Sequence, residues 1–208
     1  MGYRFILASG SPRRRELLSD AGFEFEVISP KVSERTTPSL TLREITLANA
    51  LLKGVAVGRA HPAEVVLAAD TLVALDGMII GKPKHLEDAR EILRRLSGRT
   101  HEVCSAVYVG QRARKRERVF YVISRVSFRE LTEASITAYF AKIDPMDKAG
   151  AYAAQGQGRE IIKKIDASYT NVVGLPMEQT IRALRAFGVR PRGGQRTSTA
   201  SRSASSTG

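Results

Sequence analysis

The stretch EVVLAADTLVALDGMIIGKP (residues 64–83) decides the fold, because it joins a long apolar segment to a turn signal and a second, shorter apolar segment. The run before the turn is rich in Val, Leu and Ala and is long enough for a central β-strand. Asp76-Gly77 is a dipeptide typical of a two-residue hairpin turn. The pattern therefore predicts strand, turn, strand, with Leu75 opposite Met78.

Asp70 interrupts this apolar strand. A buried carboxylate costs several kcal/mol unless it is paired, hydrogen-bonded or bound to a metal ion. Asp70 is therefore either a structural residue bonded to nearby backbone or a functional residue, serving as a metal ligand or a general base. Counting through the hairpin brings Lys82 within about two residues of Asp70, near enough for a charge pair or a shared phosphate.

Strands and helices alternate on both sides of this hairpin. Before it, residue patterns predict strand 4–9, helix 11–22, strand 23–29 and helix 41–60. After it, they predict helix 87–98, strands around 102–109 and 118–129, helix 132–143, strand 159–165 and helix 176–188. In the helix at 41–60, the apolar positions with helical spacing include Leu42, Ile45, Leu52 and Val55. The chain is predicted to have a mixed α/β fold.

Composition excludes several classes of protein. Of 208 residues, 43% are hydrophobic and 26% are charged, as in ordinary globular proteins, and no apolar run is long enough to cross a membrane. The single cysteine, Cys104, excludes a disulfide framework and a cysteine-based zinc cluster, and three scattered histidines do not favour a histidine metal site. The first residues show no secretion or myristoylation signal. We therefore expect a cytoplasmic protein that does not use a membrane.

The net charge of +12 favours polyanionic or phosphorylated partners. Two segments are conspicuously basic. PRGGQRTSTASRSASSTG (191–208) has no apolar periodicity and is predicted to be a disordered tail, which leaves residues 1–190 as a single domain. QRARKRER (111–118) lies between two β-rich runs and is interpreted as a solvated hairpin tip. A nucleic-acid patch is the alternative, although no aromatic residue is interleaved for stacking on bases.

The first predicted helix begins with a run of arginines. Arg13, Arg14 and Arg15 lie in its first turn, where the helix dipole disfavours cations. Three arginines there are explained if an anion lies between them and the free N–H groups of that turn. The small residues at 9–11 would let backbone and hydroxyl groups approach phosphate oxygens closely. A solvated basic helix start is the alternative.

Three further segments allow a functional or a structural interpretation. DKAGAYAAQGQG (147–158) is rich in small residues that would allow backbone near a ligand, and the Gln155 amide could pair with the edge of a base. A tightly packed loop explains that segment equally well. Glu34 lies in a polar loop, and by itself it is interpreted as an ordinary exposed acid. SYTNVVGLPMEQT (168–180) places Pro176 at the start of the last helix and is interpreted as structural.

Six blocks of the chain resemble the Maf family of nucleoside triphosphate pyrophosphatases, also described as septum-formation inhibitor proteins. The blocks are LASGSPRRREL (7–17), AADTLV (68–73), GKP (81–83), LSGRTHEV (96–103), DKAGAYAAQG (147–156) and VVGLP (172–176). They follow the order of the family and together span about residues 4–188. Such a set is far more specific than any single motif.

The resemblance implies a two-lobed α/β fold, like that of inosine triphosphatase, in which a mixed sheet flanked by helices surrounds a deep nucleotide-binding cleft. It also implies a homodimer that splits a nucleotide between its α- and β-phosphates with a divalent metal cation, Mg²⁺ or Mn²⁺. Asp70 corresponds to the family's catalytic base. Arg13, Thr71 and Gln155 correspond to its specificity positions and resemble the branch that acts on dTTP and UTP.

The resemblance and the charge pattern together suggest which residues bind phosphate and metal. The phosphate-binding candidates are Ser9, Ser11, Arg13, Arg14 and Lys82. Asp70 and Glu34 are the candidate metal ligands, although the family's pair of loop acids is reduced here to Ser33-Glu34. The family's helix lysine aligns with Leu51, and Lys53 lies about 200° further round a helix. Lys53 is therefore expected to face elsewhere unless the helix start is shifted, and it is a secondary phosphate-binding candidate.

These observations predict a dTTP/UTP pyrophosphatase with a housekeeping role in the nucleotide pool, acting on these or on modified pyrimidine nucleotides and not requiring nucleic acid. One alternative is a 7-methyl-GTP pyrophosphatase with the same fold. The other is a non-enzymatic nucleic-acid-binding or division-related protein that uses residues 111–118 and the tail. Such a protein would keep tight, salt-dependent polyanion binding after loss of Asp70.

Overall fold

The computed structural model describes residues 5–35, 37 and 39–192. Its strands are β1 (Phe5–Ala8), β2 (Phe25–Val27), β3 (Val66–Leu75), β4 (Met78–Ile80), β5 (Thr100–Gln111), β6 (Arg116–Phe128) and β7 (Ile162–Asp166). Its helices are α1 (Pro12–Asp20), α2 (Leu42–Ala60), α3 (Leu86–Leu96), α4 (Glu133–Phe140), α5 (Tyr169–Val173) and α6 (Met177–Ala186). The mixed α/β prediction is confirmed, and the hairpin pairs Leu75 with Met78 as expected.

The seven strands form one mixed sheet in the order β2-β1-β3-β5-β6-β7, and β4 also pairs with β3. β3 is central because its Val, Leu and Ala residues are covered on both faces. On one edge it pairs continuously with β5, from Val66 to Ala74. On the other edge β1 pairs with Val66–Ala68 and β4 with Val73–Leu75. Within the described residues, neither strand pairs with residues 69–72, so the sheet opens beside Asp70.

Hydrophobic side chains form separate cores at the two ends of β3 and β5. On one face, Leu67 and Val107 pack with α1 and α6, whereas Val73 and Val103 pack with α3 and α4. These cores are the two lobes of the molecule. On the opposite face, α2 packs against a smaller core that includes Tyr108. The opening in the sheet lies where the two lobes meet.

The buried face of α2 differs from the apolar stripe expected from the sequence. Of the four apolar positions, Ile45 is buried, but Leu42, Leu52 and Val55 are only partly so. The residues that face the sheet are instead small or polar: Thr46, Asn49, Ala50, Lys53, Gly54 and Val57. Hydrophobic periodicity located the helix but not the face it buries, because this face borders a polar site.

Two further predictions concern residues 168–180 and the C-terminal tail. Residues 168–175 contain a short helix, α5, which was not predicted. Pro176 is the residue immediately before α6, in agreement with a structural role there. The predicted disordered tail lies almost entirely outside the described residues, from 193 onward. Among the described helices, none has the length and apolarity needed to cross a bilayer.

Candidate active site

A cavity of ≈ 630 Å³ lies at the opening in the sheet, between the two lobes. Four segments line most of it: the loop and first turn after β1, the middle of β3, the residues that follow β4, and residues 147–154. Nine of the candidate residues lie at this one cavity: Ser9, Ser11, Arg13, Arg14, Glu34, Lys53, Asp70, Thr71 and Lys82. These candidates come from positions up to 73 residues apart in the chain, and the fold brings them together.

Asp70 and Lys53 form a buried ion pair at the base of the cavity. The Lys53 Nζ lies 2.7 Å from Asp70 Oδ1 and also 2.7 Å from Glu34 Oε1, so that one ammonium group joins both carboxylates. The side chain of Asp70 is 5% exposed and that of Lys53 is 10% exposed, whereas that of Glu34 is 46% exposed. Asn49 completes the support of Asp70 by donating to its Oδ2 at 3.2 Å.

The expectation that Lys53 faces away from the site is wrong. Lys53 is one turn after Asn49 on α2, and residues four apart share a face of a helix. Leu51, the position aligned with the family lysine, is an exposed residue. The sequence did contain a signal for this position. Asn49 and Lys53 are four residues apart on α2, so both side chains lie on the same face of the helix and can reach Asp70.

The charges around Glu34 favour its ionised form. Partial burial by itself would raise the pKa of Glu34, but the hydrogen bond and charge of Lys53 outweigh this effect. Lys82 and Arg14 add to the attraction, and the net result is a pKa below the ordinary value. Glu34 therefore stays ionised at neutral pH and balances part of the positive charge at the cavity.

The Arg14 side chain forms hydrogen bonds within the protein and is not free to bind phosphate with its whole guanidinium group. It is buried, and its Nη1 donates to Ser9 Oγ and to the backbone oxygen of Ala69, both at 2.9 Å. Its Nε and Nη2 donate to the Gly174 oxygen at 2.8 Å and to Thr71 Oγ1 at 3.0 Å. Only one of its five N–H groups is left, so Arg14 does not fit the bidentate phosphate contact that an arginine can otherwise make.

Thr71 belongs to the same buried network. Its hydroxyl lies 2.8 Å from Ser105 Oγ, which in turn donates to the backbone oxygen of Asn171 at 2.9 Å. The Asn171 amide then reaches Val103 and Ser124 on β5 and β6. Sequence reasoning missed Ser105 and Asn171, because their role depends on pairing between distant strands.

Arg13 connects the two sides of the cavity. Its Nη1 donates to Asp147 Oδ2 at 3.0 Å, and these side chains are 25% and 48% exposed. Asp147 also contacts Lys148, which lines the cavity beside it. Partial burial would raise the pKa of Asp147, but the hydrogen bond of Lys148 and the charge of Arg13 bring it below its ordinary value.

The first turn of α1 borders the cavity, because Ser11, Pro12, Arg13 and Arg14 line it. Ser11 is the N-cap residue and Pro12 occupies the first turn. The Ser11 side chain makes no capping bond to the backbone, and it lines the cavity with Ser9. Unpaired N–H groups and the dipole at a helix start attract anions, which suits a phosphate.

Residues 147–154 form the far wall of the cavity. The Gly150 N–H donates to the Gly81 oxygen at 3.1 Å, which ties this wall to the segment that carries Lys82. Tyr152 lines the cavity, and its hydroxyl lies 2.8 Å from Nε2 of the buried His101. Gln155 lies one residue beyond Ala154 and is not among the residues that line the cavity. The structure therefore does not bring Gln155 together with the other candidates.

The carboxylates of the site suit a divalent cation that also binds the substrate. Among the described residues, no cluster of three or more His, Cys, Asp or Glu side chains could hold a metal ion by itself. Asp70 and Glu34 lie close enough to contact the same ammonium group. Mg²⁺ commonly takes one or two protein carboxylates and completes its shell with water and substrate phosphates, so this donor set fits it.

The chain is similar to one protein family and to relatives that share one name. The family described as "Maf-like protein" matches residues 4–187. A protein of Akkermansia muciniphila named dTTP/UTP pyrophosphatase is 45% identical over 89% of this chain and 97% of its own length. Proteins with the same name from Bacillus cytotoxicus and Bacillus pumilus are 44% and 41% identical, over 88% and 90% of this chain and 95% and 98% of their own lengths.

Proposed function

The chain belongs to the Maf-like protein family, and we propose that it hydrolyses dTTP and UTP to the nucleoside monophosphate and pyrophosphate. The names of its relatives support this substrate pair, because the identity is above 40% over nearly the whole described domain. Modified pyrimidine nucleotides belong to the same proposal. The reaction is the attack of water on the α-phosphorus with pyrophosphate as the leaving group.

One observation carries the proposal: a buried carboxylate, Asp70, faces a cavity that is rich in cations. Five cationic side chains line the cavity against three carboxylates: Arg13, Arg14, Lys53, Lys82 and Lys148 against Glu34, Asp70 and Asp147. The start of α1 adds its positive dipole end. A triphosphate is the kind of ligand that such a surface binds, and a carboxylate beside it can activate water.

In the proposed reaction, Asp70 accepts the proton of the attacking water. Lys53 and Asn49 each bond one oxygen of Asp70, which fixes the orientation of the carboxylate and leaves lone pairs for the water. Arg13, Lys82 and the N–H groups of α1 stabilise the charge on the transferred and leaving phosphates, which is the larger part of catalysis in phosphoryl transfer. A divalent cation bound by Asp70 and Glu34 would supply charge neutralisation and a more acidic water.

Specificity is proposed to depend on Arg13, Thr71 and Gln155. The Thr71 hydroxyl bonds Arg14 and Ser105, so it acts by holding the cavity wall and not as a free donor. Gln155 does not itself line the cavity, but it follows Ala154, which does, and its amide is proposed to contact the base from there. Ser9 and Ser11 are proposed to bind phosphate oxygens with their hydroxyl groups.

The test is pyrophosphate release from a panel of nucleoside triphosphates with Mg²⁺ or Mn²⁺. We expect dTTP and UTP to be the preferred substrates. Asp70→Asn should lower kcat by a factor of about 100 to 10,000, the usual contribution of a general base. Lys53→Met should lower it about as much, and the exposed Lys163→Met should leave it unchanged.

The other outcomes would each change the proposal. Preference for 7-methyl-GTP would keep the reaction and overturn the assigned substrate. Full activity of Asp70→Asn would remove Asp70 from the chemistry. No pyrophosphate from any nucleotide with either metal would contradict the enzymatic function and favour a binding protein.

The same proposal includes a cytoplasmic homodimer that needs a divalent cation and no nucleic acid for catalysis. The buried, unpaired thiol of Cys104 suits a reducing compartment, and burial raises its pKa to about 11, which keeps it unreactive. The family resemblance supports the homodimer. Chelation of metal should stop turnover, and light scattering should give twice the mass of one chain.

A further inference from the structure

The turn between β5 and β6 carries a dense group of cations that the proposed reaction does not use. Five of the seven residues from 112 to 118 are Arg or Lys, and all five are exposed. None of them forms an ion pair within the described part of the chain. We call this group the basic turn: Arg112, Arg114, Lys115, Arg116 and Arg118.

The sheet and the chain beside it hold the basic turn in place. Gly110 pairs with Glu117 and Gln111 with Arg116, and a single 3₁₀ turn with a left-handed Lys115 closes the hairpin. The Ala113 N–H donates to the Pro62 oxygen at 2.7 Å, and the Gln111 side chain donates to the Ala63 oxygen at 2.6 Å. The cations therefore project from an anchored turn.

The charge of this turn is arranged on a common surface. Arg116 and Arg118 alternate with Glu117 along β6, so the two arginines point to one face and the acid to the other. The Arg116 guanidinium lies 4.7 Å from the ring centroid of Phe187, just after α6. Two exposed arginines, Arg185 and Arg190, lie two and three residues from Phe187 in the chain, so further positive charge is close to Arg116.

This surface is separate from the candidate active site. None of the five cations of the basic turn lines the cavity. Asp70, at the base of the cavity, pairs with Ala106, and Gly110 lies four residues further along β5 at the base of the turn. At the rise of an extended strand, four residues cover about 14 Å. A triphosphate bound in the cavity does not reach this turn, and the cations need another explanation.

The chemistry of the basic turn suits a phosphate backbone. Arginine forks bind phosphate oxygens, and a sugar-phosphate strand presents them in a row. The turn contains no aromatic residue, which single strands require for base stacking, and no exposed large hydrophobic residue, which a membrane anchor requires beside its charges. We propose that the basic turn binds the backbone of double-stranded DNA without reading its sequence.

The experiment compares two variants of the full chain with the same change in charge. The turn variant carries Arg112→Gln, Arg114→Gln, Lys115→Gln and Arg118→Gln. The control variant carries Arg95→Gln, Arg129→Gln, Arg159→Gln and Lys163→Gln, which are exposed cations outside the turn and outside the ion pairs of the described residues. Fluorescence anisotropy with a labelled 20-base-pair DNA would measure affinity between about 50 and 200 mM salt.

The turn variant should bind the duplex at least about tenfold more weakly than the wild type, and its plot of log affinity against log salt should be shallower by about 2 or more. The control variant should stay within about threefold of the wild type. Both variants should release pyrophosphate at the wild-type rate, which shows that they fold. Because the cavity is intact in both, the comparison of their DNA affinities does not depend on which nucleotide the cavity binds.

Three results would overturn the proposal. Equal losses in the two variants would mean that binding is spread over the whole basic molecule. Stronger binding to single-stranded DNA, duplex RNA or anionic vesicles would assign the surface to another partner. Absence of wild-type binding at the lowest salt would show that the basic turn is only a solvated hairpin tip.

Discussion

At the scale of single residues, Lys53 determines the electrostatics of the candidate site. It is nearly buried and joins Asp70 to Glu34. Without an ammonium group between them, two neighbouring carboxylates share a proton, because the pKa of one of them rises strongly. A buried ion pair contributes little net stability but costs several kcal/mol when one partner is removed. Lys53 therefore serves the chemistry of the site more than its stability.

The lowered pKa of Glu34 predicts a stability that depends on pH. A carboxyl whose pKa is lower in the folded state stabilises the fold above its ordinary pKa of 4.5, and this contribution disappears as the pH falls through the folded value. Glu34→Gln should lower the thermal midpoint by about 1–3 °C at pH 6.5, a small effect because the side chain is half-exposed. The difference from wild type should diminish as the pH is lowered below 4.5. Thermal melts at several pH values check this, and an equal difference at both ends would contradict it.

Tyr152 and His101 form a polar pair inside the lobe that contains α3 and α4. Their contact is buried, and burial lowers the pKa of His101 to about 4, so the imidazole is neutral at pH 7. Its other nitrogen, Nδ1, has no partner among the described residues. Tyr152→Phe removes the remaining hydrogen bond and should destabilise the fold by about 1–3 kcal/mol in urea unfolding. Tyr121→Phe, at an exposed position, is the control and should cost less than about 0.5 kcal/mol; equal costs would refute the role of the buried pair.

At the scale of elements, the position of α2 decides where Lys53 and Asn49 lie. This helix packs on β3 and β5 with a face of small residues, so its axis can approach the sheet closely. A Cβ atom at Gly54 would lie 2.0 Å from Tyr108 Cδ1 on β5, whereas one at Gly58 would meet nothing within 4 Å. Glycine at 54 is therefore required by close approach, and glycine at 58 is not.

Alanine at these two glycines should have opposite effects. Gly54→Ala forces α2 and Tyr108 apart and should destabilise the protein by about 1–3 kcal/mol, with a loss of activity because Lys53 moves with the helix. Gly58→Ala should stabilise it by about 0.5–1 kcal/mol, since alanine is the better helix former. Urea unfolding and pyrophosphate release measure both. A stabilising Gly54→Ala would show that the contact between helix and sheet is not tight.

At the scale of the whole molecule, the cavity exists because two lobes share long strands but have separate cores. Arg13 and Asp147 are 134 residues apart in sequence and meet across this cavity. Their ion pair is partly exposed, so it contributes little to stability. Its position matters more, because a triphosphate bound as proposed would compete with Asp147 for the guanidinium of Arg13.

Asp147→Asn should therefore strengthen substrate binding. Removing this carboxylate frees Arg13 and removes a negative charge from the cavity, so the KM for dTTP should fall about two- to fivefold, the range of an exposed ion pair. The kcat should stay within about twofold of the wild type. Asp166→Asn, which breaks an exposed pair with Lys164, should leave both constants unchanged. A higher KM in Asp147→Asn would show instead that Asp147 holds Arg13 in its binding position.

The sequence by itself determined the order of strands and helices, the central hairpin and the family, because these depend on local patterns of apolar residues, turn residues and motifs. It also singled out Asp70, since a carboxylate in an apolar strand is conspicuous without any structure. The short helix α5 escaped prediction because five residues carry too little periodicity.

Only the tertiary structure decided which side chains share an environment. In the folded protein, Lys53 contacts Asp70, and Arg14 donates to backbone and hydroxyl oxygens. Gln155 lies outside the lining of the cavity. These outcomes depend on the depth of α2 against the sheet and on the gap between β1 and β4. Both are set by packing between residues far apart in the chain, and no local pattern records them.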